Sequence, residues 1–218
     1  DVSVIVVLFN QAGLSRMCLQ SLADSQGVNA EALVVDNGSS DRVPQLLERV
    51  DGATVLRPGK NLGFLLAVNQ AAKQARGRYL VLLNNDAMLE PHTLRDAVAR
   101  LDADPSAGAA GGPILLWDGQ LQEAGSIVWR DGSCQGYGRG DDPARPEYQF
   151  VRDVDYCSGA FLVLRRSLFE SMGGLDPAFV PAYYEESDFC VRLWESGQRI
   201  VYDPQLRIRH FEFASEVS

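Results

Sequence analysis

Cysteine is scarce in this sequence and poorly placed for chemistry. Cys18, Cys134, Cys157 and Cys190 are the only four in 218 residues and none belongs to a CxxC pair, so neither a zinc site nor a redox motif is indicated. Cys18 and Cys190 fall on apolar helical faces and Cys157 opens an apolar run, so buried thiols are expected. Positive charge is also in deficit. Twenty Lys and Arg stand against 29 Asp and Glu, a formal net charge of -9, and nothing in this balance suits the phosphate backbone of DNA or RNA. No apolar run approaches the roughly 20 residues that span a bilayer, and no signal peptide opens the chain; a soluble cytoplasmic domain is expected. Internal repeats, Pro- or Ser-rich linkers and apolar heptads are missing too. The chain reads as one domain with no oligomerisation signal, and its abrupt start in a strand and stop near His210 suggest a domain of a longer protein.

What is present is ordinary globular composition, 46% hydrophobic and 22% charged, on a length sufficient for one sizeable core. The most informative stretch is Tyr79-Leu80-Val81-Leu82-Leu83 followed by Asn84-Asn85-Asp86. Five apolar residues in a row suit a strand buried on both faces, and in an open α/β sheet the ligand crevice lies beyond the carboxyl ends of such strands. Read alone, the polar triplet is a turn. A first strand, Val2 to Leu8, precedes Phe9-Asn10-Gln11-Ala12-Gly13 and a helix carrying Leu14, Cys18, Leu19 and Leu22. A second, Ala32-Leu33-Val34-Val35, ends in Asp36-Asn37-Gly38-Ser39-Ser40-Asp41, strong turn chemistry. Both polar loops follow parallel-type strands and should open on one edge of the sheet.

Between them lie a short strand at residues 53–56, then Asn61-Leu62-Gly63-Phe64, then a helix with Leu66, Ala67, Ala71 and Ala75 ending at Arg76-Gly77, where Gly supplies a left-handed cap. Asn69 is a polar residue inside that helix. Pro91-His92-Thr93-Leu94 starts another helix, with His92 on the surface. Residues 107–116 read as one strand whose Gly111-Gly112 allows close backbone approach, and residues 126–129 with Asp131-Gly132 as half of a hairpin. The aperiodic stretch 133–146 is the candidate mobile loop for specificity. Residues 157–164 read as a buried strand, and a helix from Ser167 ends at Gly173-Gly174. Glu185-Glu186-Ser187-Asp188 opens a further helix with Phe189, Cys190, Leu193 and Trp194, where acids suit the macrodipole and Asp188 can pair with Arg192 at i+4.

Taken in order, these pieces resemble the nucleotide-sugar glycosyltransferases of family 2, in their non-processive, rhamnosyltransferase-like branch. The matching motifs are Phe9-Asn10, Asp36 to Asp41, Asn61-Leu62-Gly63-Phe64 through Asn69, Arg78-Tyr79 to Asp86, Ser158-Gly159-Ala160, Gly173-Gly174-Leu175-Asp176, Glu185-Glu186-Ser187-Asp188 with Arg192, and His210. The resemblance implies an α/β GT-A fold, a mostly parallel central sheet flanked by helices, with a nucleotide-binding half at about residues 1–116 and an acceptor half at about 117–218.

The resemblance also implies roles. Phe9, Asn10, Asp36, Asn61, Gly63, Asn69 and Asn85 would bind the donor, with Asp36 accepting from a uracil or thymine imide and Phe9 covering the ring. Asp86 would ligate Mg2+ or Mn2+ on the diphosphate of a UDP- or dTDP-sugar, since an anionic leaving group needs a hard-ligand cation. Asn84 stands where the family often has a first aspartate. His210 would complete the metal sphere or contact the diphosphate. Inversion needs one general base opposite the leaving group; alignment gives Glu186, with Glu185 and Asp188 as contenders. The acceptor would be a hydroxyl of a glycan or lipid-linked molecule, which would bring the enzyme to the inner face of the membrane in cell-surface polysaccharide synthesis. A catalytically silent nucleotide-sugar module is the alternative from another class. A sugar-phosphate nucleotidyltransferase fits less well, because Phe9-Asn10-Gln11-Ala12-Gly13 offers no cation for a triphosphate.

Overall fold

The computed structural model describes residues 1–212. In β1 (Val2–Leu8) every residue is buried: Val4, Val6 and Leu8 face one core layer and Ile5 and Val7 the other, the pattern of a strand covered on both sides. The chain then winds α1 (Ala12–Ala23), β2 (Ala30–Asp36), the short α2 (Val43–Leu47), β3 (Ala53–Leu56), α3 (Phe64–Ala72) and β4 (Tyr79–Asn84). Strands β1, β2 and β3 pair in parallel on one side, and β4 joins β1 in parallel on the other. Helices α1 and α3 cover opposite faces: Cys18 and Leu22 pack into the first layer, and Leu65, Val68 and Ala71 into the second.

After β4 the chain leaves this sheet. It runs through β5 (Ala87–Leu89), α4 (Thr93–Ala103), β6 (Ala107–Gly111), β7 (Pro113–Leu116), β8 (Leu121–Ala124), β9 (Ser126–Val128), β10 (Cys134–Gly136), β11 (Arg152–Asp153), β12 (Phe161–Arg165), α5 (Arg166–Ser171), α6 (Glu185–Glu195), β13 (Arg199–Tyr202) and β14 (Ile208–His210). The main sheet has the order β11-β13-β6-β12-β4-β1-β2-β3, and a second has β5-β14-β7-β8. Strand β12 is antiparallel to both β4 and β6 and β11 to β13, but the remaining pairs of the main sheet are parallel; the fold is α/β with a mainly parallel sheet that interleaves strands from residues 1–116 with later ones. Among the described residues no helix is long and apolar enough to cross a membrane.

Several local expectations are corrected. Residues 107–116 are two strands in different sheets, β6 and β7. The break falls at Gly112, where an added Cβ would lie 2.2 Å from the Leu206 oxygen and 2.7 Å from that of Asp203. Helix α3 ends at Ala72, and Gly77 is not a left-handed cap; it is small because a Cβ there would sit 2.5 Å from the Ser3 nitrogen. The strand expected from 157 begins only at Phe161, leaving Ser158, Gly159 and Ala160 as a loop. Residues 126–128 do form a hairpin with β10. The stretch 133–146 carries that strand and Asp-closed turns at Ser133 and Ala144. Cys18, Cys157 and Cys190 are buried thiols.

Because backbone rather than flexible side chain meets any Cβ at position 112, Gly112→Ala should lose about 3 kcal/mol in urea denaturation, the upper range for overpacking. Gly13→Ala, where nothing lies within 4 Å, should change stability by no more than about 1 kcal/mol, in the stabilising direction. Equal stability of Gly112→Ala and wild type would show that the two sheets do not depend on this crossing.

Candidate active site

Parallel pairing sets the site. Leu8 lies opposite Asp36 and Val7 opposite Asn84, so the loops after β1, β2 and β4 all leave from the same sheet edge. Polar side chains of these loops satisfy one another's backbone. The Ser39 N–H donates to Asp36 Oδ1 at 3.0 Å, the Asn10 N–H to Ser39 Oγ at 3.0 Å, and the Ser40 N–H to Asn10 Oδ1 at 2.8 Å. Asn10 and Gln11 adopt left-handed φ values of 56° and 60°, which non-glycine residues hold only when surroundings over-determine them. Asn85 reaches back from the β4 edge, donating to Ser15 Oγ at 3.0 Å.

A cavity of about 430 Å³ opens at this edge, lined by Phe9, Asn61 and Gly63 on one side, by Asn84, Asn85 and Asp86, and by Glu185, Glu186 and Tyr183 from the segment entering α6. Asn37, absent from the sequence-based residue set although its loop was singled out, lines it too. It donates to Asn61 Oδ1 at 2.9 Å and accepts from the Leu62 N–H at 2.8 Å, tying the two loops.

Other expected residues lie elsewhere. Asn10 and Asp36 brace the loops, and Asn10 lines a neighbouring groove. Asn69 is not brought to the cavity: its amide donates to the Leu175 oxygen at 2.7 Å and accepts from the Leu175 N–H at 2.9 Å. It clamps a turn in which a Cβ on Gly174 would meet Asn69 Oδ1 at 2.6 Å. Asp188 pairs with Arg192 at 2.8 Å, and Arg78 makes a two-pronged contact with Asp102.

Asp86 is buried at the step from the main sheet to the second. Strand β5 follows it directly and pairs with β14, Ala87 opposite His210. That register sets His210 Nε2 3.0 Å from Asp86 Oδ1, while the Phe211 N–H donates to the Asp86 backbone oxygen at 3.0 Å. His210 Nδ1 faces Gln122 Oε1 at 2.7 Å, and the Asn84 side-chain nitrogen lies 3.3 Å from Nε2. One carboxylate and one imidazole suit a divalent ion that takes its remaining ligands from an anionic substrate. They do not form a self-sufficient cage: among the described residues no group of three or more His, Cys, Asp and Glu could hold a metal.

The cavity acids at the start of α6 are held with raised proton affinity. Burial pushes Glu186 up, and burial followed by the Glu186 charge pushes Glu185 up to about 6. Glu185 Oε2 is buried without a partner. A third acid, Glu123 on β8, was not expected; burial pushes it up to about 7, with Glu186 adding to the rise. Its sequence signal is weak, a single acid in Leu121-Gln122-Glu123-Ala124-Gly125. Such paired, shifted carboxylates at a cavity are a functional-site signature.

With this geometry in view, comparison with known proteins is specific. Residues 3–173 match the family model "Glycosyl transferase family 2". The O-antigen biosynthesis protein RfbC of Myxococcus xanthus is 32% identical over 98% of this chain, which covers 17% of RfbC. The N-acetylglucosaminyl-diphospho-decaprenol L-rhamnosyltransferase of Mycobacterium tuberculosis is 27% identical over 95% of this chain and 75% of its own length. The chain spans a quarter or less of the length of the first curated relatives it matches. Among solved structures, the Pyrobaculum calidifontis mannosyltransferase PcManGT, in complex with GDP-Man and Mn2+, superposes with a TM-score of 0.70 at 22% identity, covering 96% of this chain and 56% of PcManGT. The fold is GT-A, and the chain belongs to glycosyl transferase family 2.

Proposed function

We propose that this chain is the catalytic domain of an inverting, metal-dependent glycosyltransferase, moving a sugar from a UDP- or dTDP-sugar to a hydroxyl of a glycan or lipid-linked acceptor. The observation that carries this is the pairing within one cavity of Asp86, backed by His210, with the buried Glu185 and the half-buried Glu186. The named substrates of the relatives agree in class: one acts on a lipid-linked diphospho-sugar and a structural neighbour holds a nucleotide sugar with Mn2+.

In this reading Phe9, Asn37, Asn61 and Gly63 receive the nucleoside. Asp86 and His210 would hold Mg2+ or Mn2+, which when bound would neutralise charge developing on the diphosphate. Glu186 takes the acceptor proton as the hydroxyl attacks the anomeric carbon from the face opposite the diphosphate, one displacement with no covalent intermediate. Glu185, with its unpartnered oxygen, accepts from a sugar hydroxyl. The side-chain network Asn85–Ser15 keeps the Asp86 loop in register with β1 and α1.

Four outcomes test it. Across UDP-, dTDP- and GDP-sugars, nucleotide release should require Mn2+ or Mg2+ and an acceptor; nucleotide binding without transfer across the panel would instead mark a silent module. Asp86→Asn should weaken Mn2+-dependent nucleotide binding at least about tenfold; unchanged binding would remove the metal assignment. Glu186→Gln should lower kcat by roughly 10²–10⁴-fold. Because a base works only when ionised and burial raises this one, kcat should fall as pH drops through a value above the ordinary glutamate 4.5. A profile flat down to pH 4.5 would contradict that role.

A further inference from the structure

Strand β8 departs from regular pairing beside the site. Ile114 lies opposite Glu123 and Leu115 opposite Leu121, so Gln122 is an extra residue with no partner across the ladder. Such bulges re-aim side chains. Here two consecutive buried polar residues are both used. Gln122 Oε1 holds His210 Nδ1 at 2.7 Å, fixing the imidazole that faces Asp86. Glu123 Oε1 accepts from the Ser158 N–H at 3.3 Å, and the next amide, Gly159 N–H, donates to Glu186 Oε1 at 3.4 Å. The same loop closes on itself through the Ala160 N–H to Ser158 Oγ at 3.2 Å, and the Ala160 oxygen accepts from the Asn84 N–H at 3.1 Å. Gly136 leaves room for Glu123, since a Cβ there would lie 2.9 Å from Glu123 Cβ and 3.2 Å from its Oε2.

We propose that the bulged pair Gln122 and Glu123 is a brace that positions both ends of the reaction site, Gln122 through His210 and Glu123 through the Ser158 amide, which sets the neighbouring Gly159 amide that donates to Glu186. Neither residue lines the cavity, so both act through others rather than on substrate. The two arms have separable consequences: the Gln122 arm governs affinity for cation and nucleotide, and the Glu123 arm governs turnover once substrates are bound. This inference rests on the proposed roles of Asp86, His210 and Glu186.

The test uses the full chain and whichever of UDP, dTDP and GDP binds wild type most tightly with Mn2+, read by calorimetry, alongside kcat and thermal unfolding. Gln122→Ala should weaken Mn2+-dependent nucleotide binding about 10–100-fold, the usual cost of losing a partner of a metal-ligating histidine. Glu123→Ala should leave that binding within about twofold and lower kcat at least about tenfold, as displacement of a reacting group does. Glu123→Gln, which offers the same oxygen to Ser158, should recover most of kcat. Glu123→Asp keeps the carboxyl group, falls one methylene short, and should behave like Glu123→Ala; these two variants decide the matter if Glu123→Ala does not fold. Wild-type kcat in Glu123→Asp, failure of Glu123→Gln to recover activity, or undiminished binding in Gln122→Ala would overturn the brace. If Glu186→Gln proves fully active, the base assignment is what fails; low activity of Glu186→Gln with normal turnover in Glu123→Asp sinks the brace alone.

Discussion

The contact between Asp86 and His210 is the constraint on which the rest of the site depends. It joins residues 124 positions apart at 3.0 Å, and it exists because the chain steps from one sheet to another at Asp86. Two residues separate the end of β4 from the start of β5, so the carboxylate is fixed by the main sheet on one side and the second sheet on the other. The pairing of β5 with β14 supplies the partner. A slip of one residue in that ladder would turn the imidazole to the opposite face and leave Asp86 buried with no charge-sharing neighbour. Gly112 serves the same junction, letting the backbone cross close to Leu206 as it enters the second sheet.

Against this pair stand acids that the fold holds at a cost. Glu123, Glu185 and Glu186 are crowded near one cavity and burial raises the proton affinity of each. For Glu123 the native state keeps a proton that the unfolded chain releases between 4.5 and about 7. Its contribution to stability is therefore complete below the unfolded value and is lost as pH rises through the folded one. A neutral hydrogen-bonding residue would fold at least as well there. Acids in such positions are understandable when what they hold, the Ser158 loop and the carboxylate beyond it, matters more than stability at neutral pH.

Much of the fold was legible because its main strands are buried on both faces. Continuous apolar runs at β1 and β4 announce themselves without alternation, and polar loops directly after them must open on one edge if the strands are parallel. Phe9, Asn61, Gly63, Asn85, Asp86, Glu185 and Glu186 come from such loops or from a helix start, and they line one cavity. Asn69 shows the limit. Its helical position left a solvated side chain or a donor contact open, yet it is spent on both backbone groups of Leu175, more than a hundred residues away. The strand expected at residues 107–116 failed for a related reason: small apolar residues continue past Gly112, and only the neighbouring Asp203 and Leu206 oxygens explain why the chain must change sheets there.

The sequence by itself determined the class of fold, the sheet edge on which the polar loops gather and the types of acid available, since these follow from burial pattern, strand direction and residue chemistry. Tertiary structure alone decided which acids lie together. The orientation of the His210 ring, the turn of Gln122 and Glu123 toward the site and the grip of Ser158 and Gly159 all arise from contacts between distant segments and from one bulge in β8. A bulge leaves no periodic trace in a four-residue strand, and the partner that makes a buried polar side chain useful is set by register, not by its neighbours in the chain.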